Sequence, residues 1–392
     1  MTCDILSIVW AFGYRSENWL YRQIADLRQY RVHVLTHEYL NRDEYPHSPV
    51  TVFPAKGSVA RKMLKLPLFI LERKRPFLDI QERAVLKRIV RNEGIKIIQA
   101  HFGTVGHKYF EIVSPFSLPF IVWLYGSDVF RNSGQQIEKL KVLLDTNSIF
   151  CCTSHALRRE VEAMGCAPER VHVFHPGMDI PPEPPEITLS RNRGIRIISV
   201  GRLIDFKDPC GMVNVARILR DRGVQYTWEH LGDGELRPEV ENEIKRHDLS
   251  GHFHLLGEVS NTEVLEKFRS ADLMVHNAVV APDGGRESFG VVLVEASVAG
   301  VPIVSARVGG IPEIVQDQLT GFLVEEGDLE GMADKTALLA DDPGMRIRFG
   351  KAGHRFALEH FETRKQIEKL EAFYSSLLEN GPESPLRETS DG

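Results

Sequence analysis

The chain has 392 residues, 43% hydrophobic and 26% charged, enough for two domains that each bury a core of their own. Its 48 basic and 54 acidic residues leave a net charge of −6, which excludes the overall basic balance of a nucleic-acid binder. Five cysteines without metal-ligand spacing (Cys3, Cys151, Cys152, Cys166, Cys210) predict reduced core thiols and a cytoplasmic setting. No apolar run reaches the ~20 residues of a membrane span, and MTCDILSIVWAF reads as a first strand rather than a signal peptide.

Short apolar runs alternate with longer amphipathic ones throughout, the βαβα pattern of parallel sheets covered on both faces. In the first half strands are predicted near Asp4 to Trp10, Val32 to His37, Val50 to Pro54, Lys96 to His101, Phe120 to Tyr125, Ser148 to Thr153 and Val171 to His175. After the first strand a loop carries Gly13, and Ser16 is placed to cap a helix with Trp19, Leu20, Ile24 and Leu27 on its apolar face. His101 and Tyr125 close two strands, and Asp128 follows the second. Ligands of open α/β sheets bind beyond such strand ends, although a residue there serves packing more often than chemistry.

Between 56 and 91 the chain carries eleven basic against three acidic residues, interleaved with Met63, Leu64, Leu66, Leu68 and Phe69. This is a candidate surface for anionic membrane or a lipid-diphosphate acceptor, the alternative being two ordinary surface helices. A proline-rich stretch from Gly165 to Asn192 marks a linker.

In the second half strands are predicted at Arg196 to Val200, Tyr226 to Leu231, Phe253 to Leu256, Leu273 to Asn277 and Pro302 to Ala306. After the first of these, Arg202 and Lys207 put two cations on one loop, a diphosphate clamp if they converge. GDGEL lacks the third glycine of a dinucleotide fingerprint, so a dehydrogenase loses its support. In ESFGVVLVEASVAG a helix is predicted from Phe289 to Ala299, apolar nearly all round and therefore buried. Its open first turn near Gly290 suits an anion, and its carboxylate Glu295 requires a donor partner. Glu313 is expected on the surface of a following helix.

The spacing Glu287, seven residues, Glu295, followed by GGIPEIV, resembles the signature of the retaining nucleotide-sugar glycosyltransferases of family 4. GRLIDFKDP is similar to that family's GRLxxxKG loop, HPGMD to its PNGVD joint, and AHFG, LGDGEL and LLGEV to further segments. The resemblance covers most of the chain. It implies an α/β architecture of two doubly wound Rossmann-like domains facing across a cleft, the glycosyltransferase B-type fold. The acceptor-side domain is expected over 1–175, the donor domain over 176–360, a terminal helix crossing back over 361–380, and a disordered tail over 381–392.

The resemblance also implies roles. Arg202, Lys207 and Gly290 bind the donor diphosphate, while Glu287, Ser288, Phe289 and Glu295 hold its sugar and ribose. Gly257, Glu258 and Val259 form a ledge for the base. Gly13, Tyr125 and Asp128 face the acceptor, and His101 and Glu287 are the catalytic candidates. Tyr125 stands where a histidine is usual, Asp208 where a glycine is, and His276–Asn277 where the family more often shows Pro-Ser. The expected activity is retaining transfer from a nucleoside-diphosphate sugar, a UDP-sugar being favoured, to a sugar or lipid-linked sugar in envelope or exopolysaccharide synthesis. No cofactor is implied. No two aspartates lie two apart, so no metal is expected. Two alternatives stay open: a sugar-nucleotide epimerase or phosphorylase of the same fold, and a non-catalytic nucleotide-sugar-binding partner protein.

Overall fold

The structure, a computed structural model, describes residues 3–14, 17–53, 80–131, 134–185 and 194–380. Ser16, most of the basic stretch 56–91, the linker residues 186–192 and the tail 381–392 lie outside the described residues.

Two parallel sheets carry the fold. The first comprises β1 (Cys3–Phe12), β2 (Tyr30–Tyr39), β3 (Val50–Val52), β4 (Ile95–His101), β5 (Phe120–Leu124), β6 (Ile149–Cys152) and β7 (Val171–Val173), in the order β3-β2-β1-β4-β5-β6-β7. The second comprises β8 (Ile195–Val200), β9 (Tyr226–Leu231), β10 (Phe253–Gly257), β11 (Leu273–His276), β12 (Ile303–Ala306) and β13 (Gly321–Val324), in the order β10-β9-β8-β11-β12-β13. In each sheet the strand order reverses beside the first strand, at β1/β4 and at β8/β11, where ligand crevices open in folds of this kind.

The strands read as continuous apolar runs because both faces are covered. Alternate residues of the first sheet enter two separate cores. Leu6, Ile8, Ile98 and Val122 pack on one side, and Ile5, Val9, Ile97, Ile121 and Trp123 on the other. The second domain packs around a single large cluster that includes Trp228, Leu273, Leu293 and Ile303. Cys151, Cys152 and Cys166 are buried and unbridged, and Cys210 is half-buried and unbridged. Among the described residues no helix is long and apolar enough to cross a membrane.

Three local features differ from the sequence reading. β13 was not anticipated, since GFLV is short and follows a polar turn. The helix expected from Phe289 spans Val291–Val298, because Gly290 is left-handed (φ +99°) and breaks the turn before it. Glu313 ends a single 3₁₀ turn, Ile311–Glu313, instead of facing water from a helix.

The chain passes between the sheets twice, side by side. The Met178 N–H donates to Phe361 O at 2.8 Å, and the Thr363 N–H donates to Met178 O at 2.9 Å. The terminal helix Thr363–Asn380 then lies on the first sheet. Its Leu370, Phe373, Tyr374 and Leu377 join the Ile97–Trp123 core, each such burial stabilising by about 1.5–3 kcal/mol. Tyr374 donates to Gln99 Oε1 at 2.7 Å, and the Glu371 carboxylate accepts from the Arg28 and Gln29 N–H groups at 2.6 and 2.7 Å.

Candidate active site

A cleft of about 490 Å³ lies between the two sheets. The first domain lines it with Trp19, Tyr125, Gly126, Ser127 and Arg131. The second contributes Arg202, Phe206, Lys207 and the stretch from Gly285 to Val291.

The charged centre of the cleft comes from three strand ends. Lys207, in the turn after β8, donates to the Glu287 carboxylate and to His276 Nε2 at 3.1 Å. An ammonium has only donors, so Nε2 is the unprotonated nitrogen and Nδ1–H is left to face Ser305 Oγ at 3.3 Å. Ser305 in turn donates to the His276 carbonyl at 2.8 Å. Burial alone would raise the Glu287 carboxyl, but the Lys207 ammonium outweighs it and holds the group well below the usual carboxylate range. The same burial, together with Lys207, lowers His276 and keeps it neutral near pH 7.

Asp208 does not oppose an anion here. It adopts the left-handed conformation (φ +34°) that favours glycine, caps the helix Pro209–Asp221 through Gly211 N–H at 2.9 Å, and accepts from Asn277 Nδ2 at 2.7 Å. His276 and Asn277, the two residues that depart from the family's common pair, are thus the ones that hold Lys207 and Asp208. Arg202 is exposed at the cleft and makes no side-chain hydrogen bond or ion pair among the described residues.

Gly290 and Val291 bring the open N-terminus of the helix Val291–Val298 to the cleft, where it attracts negative charge. Glu295, one turn on, is partly buried and finds no donor among the described residues, so the donor partner expected from the sequence is not supplied by them. Burial therefore pushes its carboxyl up to about 7. The loop carrying Glu287 is held by the glycine pair of GGIPEIV. Gly310 N–H donates to Glu287 O at 3.2 Å. A Cβ at Gly309 would collide with that same carbonyl, and one at Gly310 with the Ser288 carbonyl.

The first domain offers a different wall. His101 is wholly buried (0% exposed) and does not line the cleft. Its Nδ1 pairs with the Tyr125 hydroxyl at 2.8 Å and its Nε2 with Ser7 Oγ at 3.1 Å, and burial lowers it to about 3. The structure thus places His101, the catalytic candidate from the sequence, behind Tyr125 with both ring nitrogens already against hydroxyls. Tyr125 lines the cleft with its hydroxyl already bound to His101, and its ring packs on Trp19 at 4.8 Å. Asp128 is also buried. It accepts from Gly103 and Tyr125 N–H groups at 3.0 Å each, which makes it a strut between two loops, though burial still pushes it up to about 7. Gly13 packs against the Leu40 carbonyl and is absent from the cleft lining.

Gly257, Glu258 and Val259 lie outside the cleft lining as well. They connect with it through backbone, because Gly201 N–H donates to Leu231 O and Gly232 N–H to Gly257 O, at 2.9 and 2.8 Å. Three adjacent strand ends thus form one ledge running from Arg202 outward.

Side chains also join the domains across the cleft mouth. Arg286 pairs with Glu160 and lies over the Phe130 ring at 4.2 Å. Glu313 accepts from the His155 and Ala156 N–H groups at 2.9 and 2.8 Å, capping a first-domain helix from the second domain. Sequence spacing held no signal for either contact, since the partners are more than 120 positions apart.

Comparison with known proteins fits this geometry. Residues 20–180 match the family model described as Glycosyltransferase Family 4, and residues 183–356 the one described as Glycosyl transferases group 1. The chain belongs to the glycosyltransferases built from these two halves, with the GT-B fold. It is 29% identical over 213 residues to the amylovoran biosynthesis glycosyltransferase AmsK of Erwinia amylovora, covering 53% of this chain and 52% of that one. It is 30% identical over 177 residues to the putative colanic acid biosynthesis glycosyltransferase WcaL of Escherichia coli K12, covering 45% and 44%. The chain thus spans about half the length of these two curated relatives. Among solved structures, Anabaena HepE in complex with UDP superposes with a TM-score of 0.74 at 19% identity, covering 96% of this chain and all of that one.

Proposed function

We propose that the protein transfers a sugar from a nucleoside-diphosphate sugar, a UDP-sugar by preference, to a hydroxyl of a sugar or lipid-linked sugar in exopolysaccharide synthesis. Transfer retains the anomeric configuration and proceeds without a metal. The observation that carries this reading is the convergence of Arg202, Lys207 and the open helix end at Gly290–Val291 on one cleft that also holds the ionised Glu287. The names of AmsK and WcaL, and the UDP and UDP-glucose bound to HepE, point the same way for product class and nucleotide.

When the bond from the anomeric carbon to the diphosphate breaks, negative charge grows on the departing phosphate oxygens. Groups already aimed at that charge lower the barrier most. Lys207 has three N–H donors; Glu287 and His276 take two, and the third remains for a phosphate oxygen. Arg202 and the helix end supply the remaining positive potential. Glu287, kept ionised, accepts hydrogen bonds from donor-sugar hydroxyls and fixes the ring with Ser288 and Phe289. The acceptor oxygen attacks on the face the diphosphate leaves, and its proton passes to a leaving phosphate oxygen. Glu295 accepts from ribose hydroxyls, the base rests along Gly257 to Val259, and Trp19 with Tyr125 forms the apolar wall on the acceptor side. His101 and Asp128 hold that wall in place from beneath. Contact of the 56–91 stretch with anionic lipid would bring a lipid-linked acceptor to the cleft.

The test is a thermal-shift panel of UDP, GDP, ADP and their sugars in EDTA, followed by transfer assays with the stabilising donor. A ligand at about 100 times its dissociation constant stabilises the folded state by roughly 2.7 kcal/mol. A uridine-specific shift in EDTA, with an α-linked product from an α-linked donor, is the expected outcome. Absence of any shift in a well-folded protein would defeat the reading.

A further inference from the structure

Beside Phe289 of the active-site loop, His155, His175 and Glu313 place one ligand atom each within 4.8 Å of one another. Among the described residues this is the one such group of His, Cys, Asp and Glu with metal-ligand proximity. The two histidines belong to the first domain and the start of the linker, and the glutamate to the second domain. None of the three has a place in the sugar-transfer chemistry above.

The geometry assigns this group as a binding site for a borderline transition-metal dication, Zn²⁺ by its donor set, that bridges the two domains. Four features support it. First, His175 Nδ1 lies 3.0 Å from Thr153 O, so Nδ1 carries the proton and donates, which is how ligand histidines are ordinarily oriented by a backbone carbonyl. Second, the Nε2 lone pair then faces Glu313 Oε2 at 3.9 Å. A cation placed between these two electron-rich atoms would be bound by both. Third, the ligands are held in place: His175 stacks on Phe289 at 5.1 Å and meets the edge of Phe361 at 5.5 Å, while Glu313 is anchored by two N–H groups. Fourth, a tetrahedral zinc with bonds of about 2.1 Å spaces its ligand atoms about 3.4 Å apart, so the three atoms, 3.9 Å apart for His175 and Glu313 and within 4.8 Å overall, have to draw in by roughly 0.5 to 1.4 Å. The exposed His155 offers the third ligand atom, and water would fill the fourth position. Two imidazoles and a carboxylate are a donor set that zinc prefers over calcium or magnesium.

Because the ligands come from both sides of the linker, the site exists only in this domain arrangement. An ion bound there stabilises that arrangement. Glu313 follows Gly310 by three residues, and Gly310 holds the Glu287 carbonyl. The ion thus bears on the loop that carries the reacting-site carboxylate.

The experiment is a titration of the tag-free, metal-stripped chain with Zn²⁺ against a chromophoric chelator, with thermal melting in parallel. The expected result is one Zn²⁺ per chain and a zinc-dependent rise in Tm. His155→Ala, altering an exposed side chain, should weaken binding at least tenfold, abolish the rise, and leave the metal-free Tm unchanged. Glu313→Gln should also weaken binding at least tenfold, with circular dichroism verifying its fold. Failure to saturate near one equivalent, or wild-type affinity in His155→Ala, would overturn the site. Wild-type affinity in Glu313→Gln would overturn the bridge between domains.

Discussion

His101 and His276 occupy equivalent places. Each ends a central strand of its sheet, at the crevice where strand order reverses, and each is buried with both ring nitrogens in contact with polar partners. Their partners separate them. His101 lies between two hydroxyls in an uncharged pocket under Tyr125, whereas His276 lies between a lysine and a serine beside an ionised glutamate that borders the cleft. A strand-end histidine becomes part of a site through the charge it holds in position, and its place in the fold alone does not decide this.

The largest test of that contrast is Lys207→Ala. It removes the cation from the cleft and leaves Glu287 buried beside a neutral imidazole, at an expected cost of about 3–5 kcal/mol in urea unfolding at pH 7. Turnover at saturating donor should fall about 100- to 1000-fold, with the nucleotide-dependent Tm shift lost. The Glu287 part of this stability has a definite pH range. Its folded value is depressed, so the contribution is present above the unfolded value near 4.5 and is lost as pH falls below it. A wild type and a Lys207→Ala protein of equal stability at pH 7 would show that the pair is not a structural unit.

On the neutral side, His101→Ala leaves the Tyr125 and Ser7 hydroxyls unpaired and should cost about 2–3 kcal/mol. Turnover per folded molecule should hold at the wild-type level, and a loss of more than tenfold would place His101 in the chemistry. His276→Ala is its counterpart. It should lower kcat about tenfold with a smaller loss of stability than Lys207→Ala, because Lys207 keeps its charge and loses only an acceptor that orients it. If the stability loss from His276→Ala exceeded that from His101→Ala while kcat stayed unchanged, the distinction between the two histidines would collapse.

The smallest effect concerns Glu295. Its folded value is raised to about 7, so the native state holds a proton that the unfolded chain releases. Stability of the ligand-free protein should therefore fall as pH rises from about 4.5 to 7 and level off above. Glu295→Gln should flatten that slope and raise Tm at pH 8, while donor affinity drops severalfold. Tm profiles against pH for both proteins check it, and identical slopes would contradict an unpaired carboxyl there.

Much of this was legible in the sequence and some was not, for identifiable reasons. Buried parallel strands such as FIVWL announce themselves by unbroken apolarity, and GRLIDFKDP and ESFGVVLVE by motif, so Arg202, Lys207, Glu287 and Gly290 are recognisable before any fold is built. What spacing cannot reveal is the distant partner. Lys207 meets Glu287 from 80 positions away and His276 from 69, and His276 registered only as a departure from a common pattern. Glu313 looked like a surface residue because its partners are backbone N–H groups of another domain. For His101 the sequence shows that the residue ends a strand but not which hydroxyls enclose it.

The paired crossings at Met178 and Phe361–Thr363 carry a mechanical consequence. Two chain segments pinned to each other by backbone hydrogen bonds act as the two knuckles of one door hinge, while the terminal helix is bolted to the frame by Glu371 and Tyr374. Any change in the angle between the two domains has to be taken up at this joint. Withdrawing Arg202 and Lys207 from Trp19 and Tyr125 therefore requires the Arg286–Glu160 pair and the Glu313 contacts with His155 and Ala156 to break, while the paired segments at Met178 keep the two walls joined.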